Sequence, residues 1–158
     1  RYGIEIPIYY QTDYWKFDIE FAFTHTEFSE TGEDIPVALD RVIAAGAYFD
    51  YPTGWYGAGR VRHFGERPLI EDGSVESDAT TVVNAMLGYR WGAEESWDIR
   101  GEFLNVFDSD DDDITYFYES RLRTPFGPGG TLEPAPVEDV HFRRVEPRTV
   151  RVTLTYSF

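Results

Sequence analysis

The feature that most constrains this chain is a period of two. In residues 14–24, Trp15, Phe17, Ile19, Phe21 and Phe23 fall on one side of an extended backbone. Lys16, Asp18, Glu20, Ala22 and Thr24 fall on the other. Successive side chains of a β-strand point to opposite faces, so the alternation predicts a strand with one apolar and one wet face. The end of the chain repeats it, with Val150, Val152, Leu154, Tyr156 and Phe158 opposing Thr149, Arg151, Thr153, Thr155 and Ser157.

Weaker copies fill the space between. Residues 2–11 alternate, although Pro7 argues against an interior ladder position. Residues 40–51 and 55–64 read as a hairpin across the turn Tyr51-Pro52-Thr53-Gly54. Residues 80–91 alternate with Val82 as the exception, 97–107 follow, and 114–119 form a short aromatic segment. The expectation is eight strands and no helix. The alternation is already running at Tyr2 behind Arg1, which reads as a mature or truncated piece.

Composition narrows the functional classes. There are 29 acidic side chains against 14 Lys plus Arg, a net charge of −15, which argues against nucleic acid or anionic headgroups as partners. With no cysteine, disulfides, Cys-ligated zinc, iron–sulfur clusters and thiol catalysis are excluded. The longest apolar run, Val42 to Phe49, is far short of the roughly 20 residues of a membrane-spanning helix.

Strand length and aromatic placement separate two environments. A strand in a soluble sandwich usually has about 5–6 residues, whereas a tilted strand needs about 9–11 to cross a bilayer, and several segments here reach that length. Tyr10, Trp15, Tyr51, Trp55, Tyr89, Trp91, Trp97 and Tyr156 sit near strand ends, where interfacial girdles lie. Lys16, Asp18, Glu20, Arg60, Arg62, Arg90, Asp98, Arg100, Glu102 and Arg151 occupy the opposite faces, as in a watery lumen. The pattern predicts an all-β, antiparallel transmembrane β-barrel in preference to a soluble β-sandwich binding module.

From residue 65 onward the sequence resembles the C-terminal part of a TonB-dependent outer-membrane receptor. The resemblance rests on Arg67-Pro68-Leu69, 78–91, 97–108 with its Asn105-Val106-Phe107-Asp108 turn, 114–122, and 146–158 with Pro147-Arg148 opening a final strand that ends in Phe158. It implies that residues 1–158 are the last eight strands of a twenty-two-stranded barrel, without the plug domain that fills such a barrel. The implied function is energy-coupled uptake of a scarce solute such as a siderophore–iron complex, in the cell outer membrane. The implied partners are outer-membrane lipid, the barrel-assembly machinery, and, through a part not in this chain, a plug and the TonB-type energising complex.

With a periplasmic C-terminus, counting strands puts 123–146 outside the cell and 108–113 in a periplasmic turn. The same count makes 51–55 and 92–96 short extracellular turns and leaves 28–38 and 65–78 facing the periplasm. Within 123–146, Phe126, His141, Phe142 and Arg143 are the candidate substrate contacts. Val150, Val152, Leu154, Tyr156 and Phe158 resemble the signature that assembly machinery recognises.

Other constellations carry less. The acidic run 108–113 lacks the Gly and distal Glu of a calcium loop and reads as a solvated turn. His25, His63 and His141 have no metal-ligand spacing. Asp98, Arg100 and Glu102, facing Arg60, Arg62 and Arg90, are expected to form a charge ladder across neighbouring strands, with substrate contact by the same residues as the alternative. No nucleophile motif or phosphate loop is present, so neither enzyme activity nor a metal or other cofactor is expected. A self-contained eight-stranded barrel acting as anchor or adhesin is the remaining alternative, with Gly57, Gly59, Gly88 and Gly101 relieving a crowded interior.

Overall fold

The computed structural model describes residues 1–121 and 136–158. Seven strands make one antiparallel sheet: β1 (Tyr2–Gln11), β2 (Trp15–His25), β3 (Arg41–Asp50), β4 (Trp55–Phe64), β7 (Thr80–Trp91), β8 (Trp97–Leu104) and β11 (Thr149–Tyr156), in that order across the sheet. Two small pairs stand apart from it. They are β5 (Arg67–Pro68) with β6 (Glu76–Ser77), and β9 (Asp112–Ser120) with β10 (Val137–Arg144).

The register carries the alternation across the whole sheet. Ile8, Ile19, Ala45, Val61 and Val83 are partners in one row. The next row crosses all seven strands through Tyr10, Phe17, Ala47, Gly59, Ala85, Phe103 and Val150. One slip of register would turn a strand's apolar set to the other face, so seven matching strands specify one pairing.

The apolar face has no second layer over it. Phe17 is 38% and Phe23 42% exposed, and Val152 and Leu154 are 66% and 59% exposed. Among the described residues the buried hydrophobic side chains are Ala44, Tyr56 and Leu69, far too few for a soluble core. This is not the arrangement of a β-sandwich, in which the inner faces of two sheets interdigitate.

At one end of that face the aromatics form a belt. Trp15 lies 5.1 Å from Phe49, Trp55 4.8 Å from Tyr89, Tyr89 5.8 Å from Trp91, Trp91 6.0 Å from Trp97, and Trp97 4.6 Å from Tyr156. The Trp15 indole N–H donates to the Tyr51 hydroxyl at 2.9 Å. All four tryptophans lie in this belt.

The two ends of the sheet differ. Short connections 12–14, 51–54 and 92–96 lie at the belt end together with the C-terminus, where the Ser157 N–H donates to the Ser96 carbonyl at 2.9 Å. The long connections 26–40, 65–79 and 105–148 lie at the other. This corrects the expected sides: 51–55 and 92–96 share the end of the C-terminus, while 28–38, 65–78 and 108–113 lie opposite. The cause is the segment 114–119. It is a strand, yet it pairs with Val137–Arg144 outside the sheet, and β8 pairs directly with β11. The wall therefore has one crossing fewer than the sequence count.

Two glycines let side chains bridge alternate strands on the charged face. Asp18 of β2 reaches across Gly46 of β3, where a Cβ would lie 2.6 Å from its carboxylate, to Arg60 of β4 at 3.3 Å. Tyr56 of β4 lies over Gly88 of β7, where a Cβ would overlap its ring, and donates to Asp98 of β8 at 2.7 Å. Gly59 has nothing within 4 Å of the position a Cβ would take. Gly88→Val is expected to lower unfolding stability in micelles by about 1–3 kcal/mol through overpacking, and Gly59→Val to leave it unchanged or raised. Equal denaturant midpoints for the two variants would contradict this packing.

Candidate functional site

The sheet sorts charge onto one face because its apolar partners occupy the other. At the belt end Arg90 is the hub. Its guanidinium lies 3.1 Å from Asp50, 3.6 Å from Asp98 and 4.0 Å from Glu95, and 4.1 Å above the Tyr56 ring. Tyr48 donates to Asp50 at 3.0 Å. Glu102 sits between Arg100 at 3.9 Å and Arg151 at 3.7 Å. These partly exposed pairs contribute about 0–1 kcal/mol each, so their role is geometric: they tie β3, β4, β7, β8 and β11 in register.

The expected charge ladder is present only in part. Arg90 meets Asp98 as anticipated, but Arg60 turns to Asp18, and Arg100 and Glu102 pair with each other. The Tyr56–Asp98 bond and the Asp18–Arg60 pair were missed. Their signal is a glycine on the intervening strand, legible only once the register is known.

At the other end the motif around Asn105 ends the β8–β11 pairing. Asn105 is 2% exposed and has φ +48°, a backbone region that Asn tolerates better than most residues. Its side-chain oxygen accepts from the Ser109 N–H, and its Nδ2 donates to the carbonyls of Ser109 and Glu146, each at 2.9 Å. Its own N–H donates to the Asn84 side chain at 2.9 Å. Asp108 accepts from the Arg148 N–H at 2.9 Å. The two sequence motifs, Asn105–Asp108 and Pro147-Arg148, are thus halves of one clamp that closes the base of the 105–148 excursion.

The acidic run is knitted into that base. Asp111 accepts from the Thr81 N–H at 2.8 Å, the Asp112 carbonyl accepts from the Thr80 hydroxyl, and Asp110 pairs with Arg144. Hydrogen bonding to Asp110 holds the Arg144 guanidinium above its ordinary pKa. In the neighbouring loop the Ser74 N–H, donating at 2.9 Å, holds the Asp72 carboxyl below its own. Among the described residues no group of three or more His, Cys, Asp or Glu is placed to hold a metal ion. His25 pairs with Glu27 at 3.4 Å, His63 bonds Thr81 at 2.9 Å, and His141 stacks on Tyr118 with ring centroids 3.8 Å apart.

The candidate contacts in 123–146 separate. Phe126 lies outside the described residues. His141, Phe142 and Arg143 are consecutive on β10, not in an irregular loop, so His141 and Arg143 share one face and Phe142 points the other way. Arg143 lines a cleft of about 290 Å³ with Arg62 and Asn84 of the charged face. Val150, Val152 and Leu154 lie exposed on the apolar face, Tyr156 lies in the belt, and the Phe158 ring is 6.4 Å from Tyr156.

Neither a family model nor a curated protein matches the sequence. A solved uptake receptor shares the fold. The chain is similar to the ferric yersiniabactin uptake receptor FyuA from Yersinia pestis, with a TM-score of 0.70 and 18% identity over 99% of this chain. It spans 23% of that receptor's length. The likeness covers the sheet and its connections together.

Replacing Asn105 by Ala removes three side-chain hydrogen bonds and takes the donor from the part-buried bonds to the Ser109 and Glu146 carbonyls. A stability loss of about 2–4 kcal/mol is expected. Asn105→Gly, which keeps the backbone conformation, should recover a minor part of it. Full recovery in denaturant titrations would mean that the backbone conformation, and not the hydrogen bonding, makes the clamp.

Proposed function

We propose that this chain is the C-terminal stretch of the β-barrel wall of a TonB-dependent outer-membrane receptor that takes up a scarce solute such as a siderophore–iron complex. The observation that carries the proposal is the uncovered apolar face, continuous over seven strands of 8–12 residues and edged by an aromatic belt. Hydrocarbon is the solvent such a face suits, and strands of about 9–11 residues match its thickness. The likeness to an uptake receptor supports the same reading.

In this reading the charged face lines the solute path, and the belt end, with its short turns and C-terminus, is periplasmic. The long connections are extracellular. A plug domain fills the lumen and an energising complex acts on it, both beyond this chain. The protein's part is binding and gating, without covalent chemistry. The sheet order leaves β1 and β11 unpaired with each other among the described residues. That favours a stretch of larger wall over a closed eight-stranded barrel, and it leaves the β11 edge free for the assembly machinery to pair with.

The test is environmental. In micelles or bilayers the protein should run as a heat-modifiable band, and lipids brominated at the interface should quench all four tryptophans. Ile19→Arg, at mid-face, should cost about 2–4 kcal/mol of folding free energy in bilayers, while Glu20→Gln, one residue on, costs little. A monodisperse, folded protein without detergent would end the proposal. Removal of Phe158 should lower the membrane-assembled fraction in cells while leaving refolding in micelles unchanged. Unchanged assembly would remove the role of the C-terminal strand as a signal.

A further inference from the structure

Every arginine of the charged face except one meets a carboxylate. Arg60, Arg90, Arg100 and Arg151 are paired with Asp18, Asp50, Asp98 and Glu102. Arg62 has no ion pair among the described residues, because its register partners are Ala44 and Val82. Arg143, on the hairpin above, is likewise unpaired and stands opposite Ile114. Both line the same cleft, about 290 Å³, with Val82 and Leu104 as apolar wall and Asp113 and Glu146 completing the lining.

Two unpaired guanidiniums in one cleft are notable in a chain where acids outnumber bases by 29 to 14. Asp113 and Glu146 also line the cleft, yet among the described residues neither forms an ion pair with Arg62 or Arg143. A guanidinium presents its donors in a planar fork that fits an oxyanion through two parallel bonds. The cleft is of the size that holds a small molecule. His141, two residues from Arg143 and on the same face of β10, has a sheltered Nε2 without a hydrogen-bond partner, a further polar group on the same side.

We propose that Arg62 and Arg143 clamp a small solute through its oxyanion groups, carboxylate or phosphate, at the loop end of the charged face. The two arginines come from different sheets, one from strand β4 of the wall and one from the β9–β10 hairpin outside it. A bound oxyanion therefore also holds the hairpin against the sheet. The inference rests on the charged face lining a solute path, and it adds the chemistry of the solute and the residues that meet it.

The experiment titrates the whole barrel that contains this stretch, folded in micelles, with citrate, with inorganic phosphate and with uncharged glycerol, following binding by calorimetry. Citrate or phosphate should bind and glycerol should not, and the stronger of the two names the oxyanion. Arg62→Gln and Arg143→Gln should each weaken binding at least tenfold, with Arg62→Lys intermediate. Heat modifiability of each variant reports that the wall still folds. Absence of binding by both anions, or equal binding by wild type and the double variant, overturns the clamp while leaving the membrane reading intact. A detergent-free soluble protein overturns the membrane reading instead, whatever the titration gives.

Discussion

The structure depends on the unbroken antiparallel ladder from β1 to β11. Each hydrogen-bonded pair places side chains of neighbouring strands on the same face, so a two-residue period in one strand becomes a two-sided surface across seven. Ordinarily such a surface is completed by packing another layer against its apolar side. Here no second layer covers the apolar rows, and the backbone polar groups are paired within the ladder except along the outer edges of β1 and β11. The absence of a conventional core and the presence of an aromatic belt are two consequences of the same arrangement.

The charged face answers a different demand. Partly exposed arginines and carboxylates are inexpensive to hold, yet left unmatched on adjacent strands they would not define register. Gly46 and Gly88 extend the reach of Asp18 and Tyr56 by one strand, so that pairs form between second neighbours as well as first. The belt end, where Arg90 gathers three carboxylates, is the most heavily cross-linked part of the wall. Toward the loop end the pairing thins, and the first guanidinium without a partner appears where the hairpin rises from the sheet.

The hairpin marks where linear reading and spatial arrangement diverged. An aromatic segment, Ile114 to Glu119, has the alternation of a wall strand, and counting it as one reversed the assignment of every connection before it. The clamp of Asn105 and Asp108 on Glu146 and Arg148 ejects the chain from the sheet after Leu104 and returns it at Thr149. The motifs that make the clamp were visible as residues. That they hold each other was not, because they are separated by the whole hairpin.

The sequence by itself determined the class of the fold, the boundaries of most strands and the two faces of each. A period of two is local, and the solvent on each side of a strand selects it residue by residue. It also determined which segments carry the polar and aromatic side chains. Only the tertiary structure decided which strands are neighbours, which connections share an end, and which arginine finds a carboxylate. It turned Phe142 away from His141 and Arg143 and brought Arg62 into one cleft with Arg143. Those outcomes depend on registry between segments far apart in the chain, and the ladder that sets registry does not exist until the strands have paired.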